Sequence, residues 1–214
     1  MSEIIRKWTT IQNILLNIVR EVYGLEIFIE RIEVVNLYYI NTKKMPFSTK
    51  LWDTRIPPYV EKLASEKGAL CILDVWAWAW KRWKLLRDFA SRIDAVEIFK
   101  PYIEQYSLPE IYDEVFDVDV MSLSDDFFNQ YDLIVLWDIF EHLNVEDATK
   151  LLKSLKNVTT FVMVPFDTPQ WEHYWNIHET HLQPDLSEDT MKERYPQLNK
   201  EFVDGRFWFY SLNF

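Results

Sequence analysis

The hydrophobic pattern predicts a helical N-terminal segment. Between Glu3 and Val22, apolar residues recur at three- and four-residue steps, the spacing of an amphipathic helix, and Gly24 is placed to end it. The stretch from Leu25 to Ile40 is rich in β-branched and aromatic residues and fits helix and strand equally well. With a short helix over Tyr59 to Ser65, we expect residues 1–68 to form a helical cap laid against the main domain.

From residue 69 to 214 the pattern changes to short apolar runs that alternate with amphipathic stretches, which is typical of a parallel sheet with helices on both faces. Helices are predicted over Trp80–Phe89 and Val145–Lys156, the second with Asn144 as N-cap. Asp204-Gly205 lies between two aromatic runs and predicts a C-terminal hairpin. The predicted strands are Leu70–Val75, Ile93–Ile98, Glu114–Val118, Leu133–Leu136 and Thr160–Val164.

The junction after the first strand is the most informative stretch. Residues 72–86 read ILDVWAWAWKRWKLL, in which a strand ends in Asp74 and runs into a basic helix. A nucleotide binds at such a junction through bare backbone, so glycine is expected in the turn. Here Trp76, Trp78 and Trp80 stand there instead. The whole chain has 3 glycines and 10 tryptophans, and their sum would be an ordinary glycine content.

With glycine read for these tryptophans, the stretch becomes ILDVGAGAGKRGKLL, which resembles motif I of the class I S-adenosylmethionine (SAM) methyltransferases. We hypothesise that many of the tryptophans are glycines in the natural protein, as results when UGA codons that the source reads as glycine are translated as tryptophan. The alternative is a genuinely tryptophan-rich relative that no longer binds the cofactor. The resemblance covers about residues 50–214 and implies an α/β, Rossmann-like, doubly wound, seven-stranded, mostly parallel sheet with an antiparallel C-terminal hairpin.

The resemblance also implies roles for acidic residues at the strand ends. Asp74 would help to position the methionine end of SAM, although it could equally order the turn. Glu97 would accept hydrogen bonds from both ribose hydroxyls. Asp119, with Asp117 as the alternative, would face the adenine edge, and Val120 and Met121 would flank the ring. The cofactor-binding set is therefore Asp74, Trp76, Trp78, Trp80, Glu97, Asp119, Val120 and Asp138.

The segment Tyr131–Leu143, YDLIVLWDIFEHL, resembles the family's fourth motif and places Asp138 at the junction of cofactor and acceptor. Glu141 and His142 follow, and they could also simply brace the loop. The candidates for a general base are His178, His181, Glu179 and His142. His178 and His181 are three residues apart, but a third and a fourth metal ligand of convincing spacing are missing, so no metal is expected.

Composition limits the remaining classes. The net charge of −11 argues against non-specific binding to nucleic acid, and Cys71 is the single cysteine. Without a long apolar stretch or a signal pattern, the protein is expected to be cytoplasmic and not to enter a membrane. The expected partner is a small-molecule methyl acceptor. The N-terminal cap could serve in bundling, in a homodimer contact with a second copy of the chain or in substrate selection, and the sequence does not choose among these roles.

The function expected from the sequence is SAM-dependent methyl transfer to an oxygen or nitrogen of a small molecule such as a sugar. One alternative is a non-catalytic methyltransferase-like module whose cofactor pocket is blocked by tryptophan. Another is an NAD-dependent oxidoreductase, which the spacing after Asp74 disfavours because it does not match G-x-G-x-x-G.

Overall fold

A computed structural model describes residues 52–77, 83–167, 176–205 and 207–214. These residues belong to one compact unit, Ser48–Phe214. The predicted N-terminal helix, the segment from Leu25 to Ile40 and the turn residues Trp78 and Trp80 lie outside them. The division into a cap over 1–68 and a domain over 69–214, and the homodimer through that cap, therefore stay predictions.

The helices and strands alternate in the predicted order. The helices are α1 (Trp52–Arg55), α2 (Pro57–Lys67), α3 (Trp83–Leu86), α4 (Lys100–Gln105), α5 (Asp125–Phe128), α6 (Val145–Ser154) and α7 (Glu188–Arg194). The strands are β1 (Leu70–Val75), β2 (Ala90–Val96), β3 (Glu114–Phe116), β4 (Leu133–Trp137), β5 (Thr159–Pro165), β6 (Asn199–Asp204) and β7 (Phe207–Leu212).

The strands form one seven-stranded sheet in the order β3-β2-β1-β4-β5-β7-β6. The strands β3, β2, β1, β4 and β5 pair parallel with one another, and β7 pairs antiparallel with both β5 and β6. This confirms the predicted mostly parallel sheet with its antiparallel C-terminal hairpin. Gly205 turns that hairpin with a φ of 57°, a left-handed conformation that glycine adopts without strain.

Strand bounds depart from the prediction where the pattern is polar or the strand lies at an edge. β2 begins at Ala90, three residues earlier than predicted, because Ala90 and the exposed Arg92 pair with Leu70 and Cys71 of β1 across a bulge at Ser91. β3 ends at Phe116, two residues early, because it is an edge strand with one neighbour. Burial, and not strand pairing, selects apolar residues. These strand ends are poorly buried, so their sequence shows little of the apolar pattern from which strands are predicted.

Two apolar clusters cover the two faces of the sheet, as expected when a parallel sheet is packed on both sides. Helix α6 supplies Ala148, Leu151 and Leu152 to one cluster, and α2 supplies Val60 and Leu63 to the other. With both faces covered, the carboxyl ends of the central strands β2, β1 and β4 are left to form a site. Among the described residues, no helix combines the length and the apolar character needed to cross a membrane.

Candidate active site

A cleft lies where β1, β2 and β4 end, which is where α/β proteins of this type bind ligands. Its volume is about 120 Å³, whereas pockets for drug-sized ligands occupy roughly 300–1,000 Å³. Of the candidates that the structure describes, five line this cleft: Trp76, Asp119, Val120, His142 and His178. The others, Asp74, Glu97, Asp138, Glu179 and His181, surround it without lining it directly.

Trp76 accounts for the small volume. Its backbone has a φ of 71°, in the left-handed region that favours glycine and that a bulky side chain rarely adopts. The side chain is 7% exposed and stacks on the imidazole of His142, with ring centroids 4.7 Å apart and an interplanar angle of 8°. The indole therefore fills the part of the cleft nearest the turn, at a position whose backbone suits glycine.

Glu97 lies directly after β2, between Val96 and Ile98, which both line the cleft. Its Oε1 accepts a hydrogen bond of 2.8 Å from the backbone N–H of Phe99, and within the described chain its buried Oε2 accepts none. Burial, together with the neighbouring carboxylates of Glu179, Asp74 and Asp117, raises the pKa of Glu97 to about 8. A buried carboxyl with one unused oxygen is suited to a ligand that donates hydroxyl hydrogen bonds.

Asp119 begins a short 3-10 turn over Val120–Ser122, and its Oδ1 accepts a hydrogen bond of 2.8 Å from the backbone N–H of Met121. Asp119, Val120 and Met121 all line the cleft. Asp117, the alternative adenine contact, is exposed and acts on the cleft through its charge on Glu97. The turn therefore offers a carboxylate beside two apolar side chains.

Asp74 lies within β1 and is 1% exposed. Its Oδ2 accepts a hydrogen bond of 2.7 Å from the hydroxyl of Tyr112, a residue 38 positions later that the sequence gave no reason to single out. Asp138 follows β4 with a φ of 46°, and its backbone N–H donates to the carbonyl of Met163. Both aspartates are thus held in place at the ends of adjacent central strands.

The histidines come from two loops. His142 ends the 3-10 turn Phe140–His142, while His178 and Glu179 lie in a second 3-10 turn, Ile177–Glu179, just before His181. The rings of His142 and His181 are 4.7 Å apart, edge to face. Glu179 is buried and accepts a hydrogen bond of 3.1 Å from the hydroxyl of Tyr102. The loops therefore gather all four base candidates around one side of the cleft.

The four base candidates differ in their environment. Burial, together with the nearby His181 and His178, lowers the pKa of His142 to about 3, so His142 is neutral near pH 7 and a weak base. Glu179 is already engaged by Tyr102. His178 is half-buried and lines the cleft, which leaves its imidazole accessible to a bound ligand.

Comparison with solved structures identifies the fold. The structure resembles a SAM-dependent methyltransferase from Archaeoglobus fulgidus (TM-score 0.52, 16% identity, 78% of each chain covered). It also resembles the N-methyltransferase NodS from Bradyrhizobium japonicum WM9 in complex with S-adenosyl-L-homocysteine (SAH), with a TM-score of 0.51, 10% identity and coverage of 85% of this chain and 98% of that one. This is the class I methyltransferase fold.

A third structure with the methyltransferase-like fold is the DhpI–SAH complex, with a TM-score of 0.53, 14% identity and coverage of 75% of this chain and 88% of that one. No family model matches the sequence, and no curated protein sequence matches it significantly. Identities of 10–16% establish the fold. Function must therefore be argued from the site itself.

The cleft has side chains that would suit the nucleoside half of SAM, the cofactor that this fold implies, and one side chain that would obstruct the methionine half. Glu97, with its unused Oε2, and Asp119, beside Val120 and Met121, have the chemistry that the sugar and base of a nucleoside require. The indole of Trp76 occupies the space beside the turn, where the methionine end would press against bare backbone in this fold. The carboxylates therefore suit the cofactor, whereas the tryptophan at position 76 does not.

Proposed function

We propose that this protein transfers a methyl group from SAM to an oxygen or nitrogen of a small-molecule acceptor, and that it does so with glycine at position 76. The observation that carries this proposal is the backbone of Trp76, whose φ of 71° places a glycine conformation at the mouth of the cleft. The turn thus keeps the shape that a close backbone approach needs, although its side chain prevents that approach.

The strand-end carboxylates would hold the nucleoside half of the cofactor. Glu97 is positioned to accept hydrogen bonds from ribose hydroxyls with its unused Oε2, while Oε1 stays fixed by the Phe99 N–H. Asp119 would accept from the exocyclic amine of adenine, and Val120 and Met121 would pack on the ring. When bound, SAM supplies an electrophilic methyl group on a positively charged sulfur.

Alignment and proton removal would complete the reaction. Holding an acceptor nucleophile in line with the methyl group contributes much of the rate in such reactions, because it replaces a bimolecular encounter. His178 is the candidate base that lines the cleft and is accessible to a ligand, so we assign it the role of removing the proton from the acceptor. Asp138, at the end of β4, would face the junction of the two ligands.

A second candidate is a non-catalytic module with the methyltransferase fold. The stacking of Trp76 on His142 favours it, because the two rings fill part of the cleft. If the natural protein has tryptophan at position 76, this contact would keep the cleft closed to a cofactor. The surface would then serve a binding partner. An NAD-dependent oxidoreductase is disfavoured, since β7 runs antiparallel between β5 and β6, whereas dinucleotide-binding sheets follow the order 3-2-1-4-5-6.

A retention experiment tests these alternatives. A chain carrying Trp76→Gly, Trp78→Gly and Trp80→Gly is mixed with labelled SAM and, separately, with labelled NAD, and each mixture is passed through a desalting column. Retention of SAM alone is the expected result. Retention of NAD alone overturns the proposal, and failure of the folded glycine variant to retain either ligand favours the non-catalytic module.

A further inference from the structure

A second group of side chains meets beside the cleft. One ligand atom each from Glu141, His142 and His181 lies within 4.8 Å of the other two. Two imidazole nitrogens and one carboxylate oxygen form a ligand set that zinc and other divalent first-row metals accept. The histidine spacing of the sequence pairs His178 with His181, but the fold brings His181 together with His142, 39 residues earlier in the chain.

The orientation of His142 suits coordination. Its Nδ1 lies 3.3 Å from the carbonyl oxygen of Thr180, a contact in which Nδ1 carries the proton and donates it. In that tautomer Nε2 carries a lone pair, and Nε2 lies 3.9 Å from Oε1 of Glu141. A backbone carbonyl that fixes the tautomer and ring orientation is the usual outer partner of a metal-bound histidine.

The two segments that carry the three ligands are joined rigidly. The carbonyl of Glu141 accepts hydrogen bonds from the backbone N–H groups of Leu182, at 2.7 Å, and Gln183, at 3.0 Å. The buried side chain of Gln183 donates to the carbonyls of Phe140 and Leu143, both at 3.0 Å, and its Oε1 accepts from Tyr195. These bonds fix the 3-10 turn against the loop, so the ligands are preorganised on a common frame.

We propose that Glu141, His142 and His181 bind one divalent metal ion of the zinc class. Ligand atoms about 2.1 Å from a tetrahedral zinc lie about 3.4 Å apart, whereas these three lie within 4.8 Å of one another, so they must draw together by up to roughly 1.4 Å. Such a shift is within the reach of side-chain rotation. Three protein ligands leave at least one coordination position open, as in catalytic rather than structural zinc sites.

The position of the site indicates a role. His142 also lines the cleft, so an ion on its Nε2 would border the space where the acceptor binds. An open coordination position there would take an oxygen of the acceptor, which makes a hydroxyl- or carboxylate-bearing acceptor the expected class. This role rests on the proposed methyltransferase function, whereas the metal site itself does not.

Zinc binding to the chain with tryptophan at positions 76, 78 and 80 tests the site. The metal-stripped protein is titrated with Zn²⁺ in competition with a chromophoric chelator, beside the near-isosteric variants Glu141→Gln and His181→Gln. His178→Gln is the matched control, because it removes a neighbouring histidine outside the ligand set. One zinc per chain is expected, weakened at least about 100-fold by either ligand substitution and less than about threefold by the control, since losing even an outer partner typically costs 10- to 100-fold.

Two outcomes overturn the metal site. One is a folded parent chain that takes up no zinc, and the other is zinc affinity unchanged in both ligand variants, with folding verified by circular dichroism. Calorimetry with SAH on the glycine variant, with and without EDTA, keeps the two proposals apart. SAH binding without zinc binding refutes the metal site alone, whereas zinc binding without SAH binding refutes the proposed function alone.

Discussion

Glu97 is a buried carboxyl that weakens the fold that holds it. Because it is buried beside other carboxylates, its pKa in the folded protein is raised to about 8, far above its ordinary value of 4.5. Because the folded-state pKa is raised, the stability it contributes is fully present below about pH 4.5 and is lost as pH rises towards 8. Part of that stability is therefore already lost near neutral pH, where a ligand that favours the charged carboxylate can offset the loss.

Glu97→Gln should stabilise the ligand-free protein near neutral pH. The amide keeps the acceptor for the Phe99 N–H but cannot ionise, so the gain in unfolding free energy should be up to about 3 kcal/mol larger near pH 7.5 than near pH 5. Urea unfolding at the two pH values measures it. The exposed Glu104→Gln provides the control, and a gain that does not grow with pH would contradict the assignment.

Cofactor binding should release a proton through the same carboxyl. Ribose hydroxyls that donate to Glu97 favour its charged form and lower its pKa, so SAH binding to the glycine variant near pH 7 should release a substantial fraction of a proton. Calorimetry in two buffers of different ionisation enthalpy measures the release. A binding enthalpy that is independent of the buffer would show that Glu97 does not change its ionisation.

Sequence reasoning predicted which side chains would lie near one another where a strand end fixes them, and their roles stay predictions. Asp119 and Trp76 do line one cleft, and Glu97 lies beside it, because parallel strands bring their carboxyl ends to the same edge. The partnership of Asp74 with Tyr112 was beyond sequence reasoning. Nothing in the spacing of two residues 38 positions apart encodes a hydrogen bond that depends on the packing between them.

At the level of elements, helix α6 carries its own start signal. Asn144 caps it, since its Oδ1 accepts the N–H of Asp147 at 2.8 Å, as the sequence predicted. The cap comes two residues after His142, so the helix start also limits where the 3-10 turn of His142 can lie. Such local signals are readable because all the groups involved lie within four residues.

Asn144→Ala should cost about 1 kcal/mol of unfolding free energy, the typical value for a lost N-cap. The loss leaves the N–H of Asp147 without its acceptor, and equilibrium denaturation measures it. Thr149→Ala, in the middle of the same helix, is the matched control and should be neutral or slightly stabilising because alanine favours helices. Equal effects of the two substitutions would contradict the capping role.

The contact between two loops is the feature of the elements that could not be predicted from the sequence. The Phe140–His142 turn and the segment carrying His181 are joined by hydrogen bonds from Gln183, a residue with no motif around it. The sequence therefore identified the histidines as candidates, but nothing in it indicated that the fold brings His142 next to His181. Periodicity predicts strands and helices, but long-range loop contacts depend on which side chains happen to bridge them.

For the whole molecule, the class I methyltransferase fold is kept although the indole of Trp76 fills part of the cleft beside the turn after β1. The seven-stranded order and the antiparallel β7 follow from buried apolar strands and a hairpin turn, none of which needs the turn after β1. The fold therefore does not depend on a glycine in that turn. The sequence predicted the fold in spite of its tryptophans because the hydrophobic pattern lies in the strands.

Calorimetric titration with SAH tests the central claim most directly. It compares the affinity of the tryptophan-containing chain with that of its Trp76→Gly, Trp78→Gly, Trp80→Gly variant. Glycine should open the cleft, so the variant should bind at least about 100-fold more tightly, equivalent to about 2.7 kcal/mol. Adding Glu97→Gln to the variant should abolish most of that gain, which locates the binding at this cleft. Equal SAH affinity of the tryptophan-containing chain and the glycine variant would contradict the claim that Trp76 blocks a cofactor cleft.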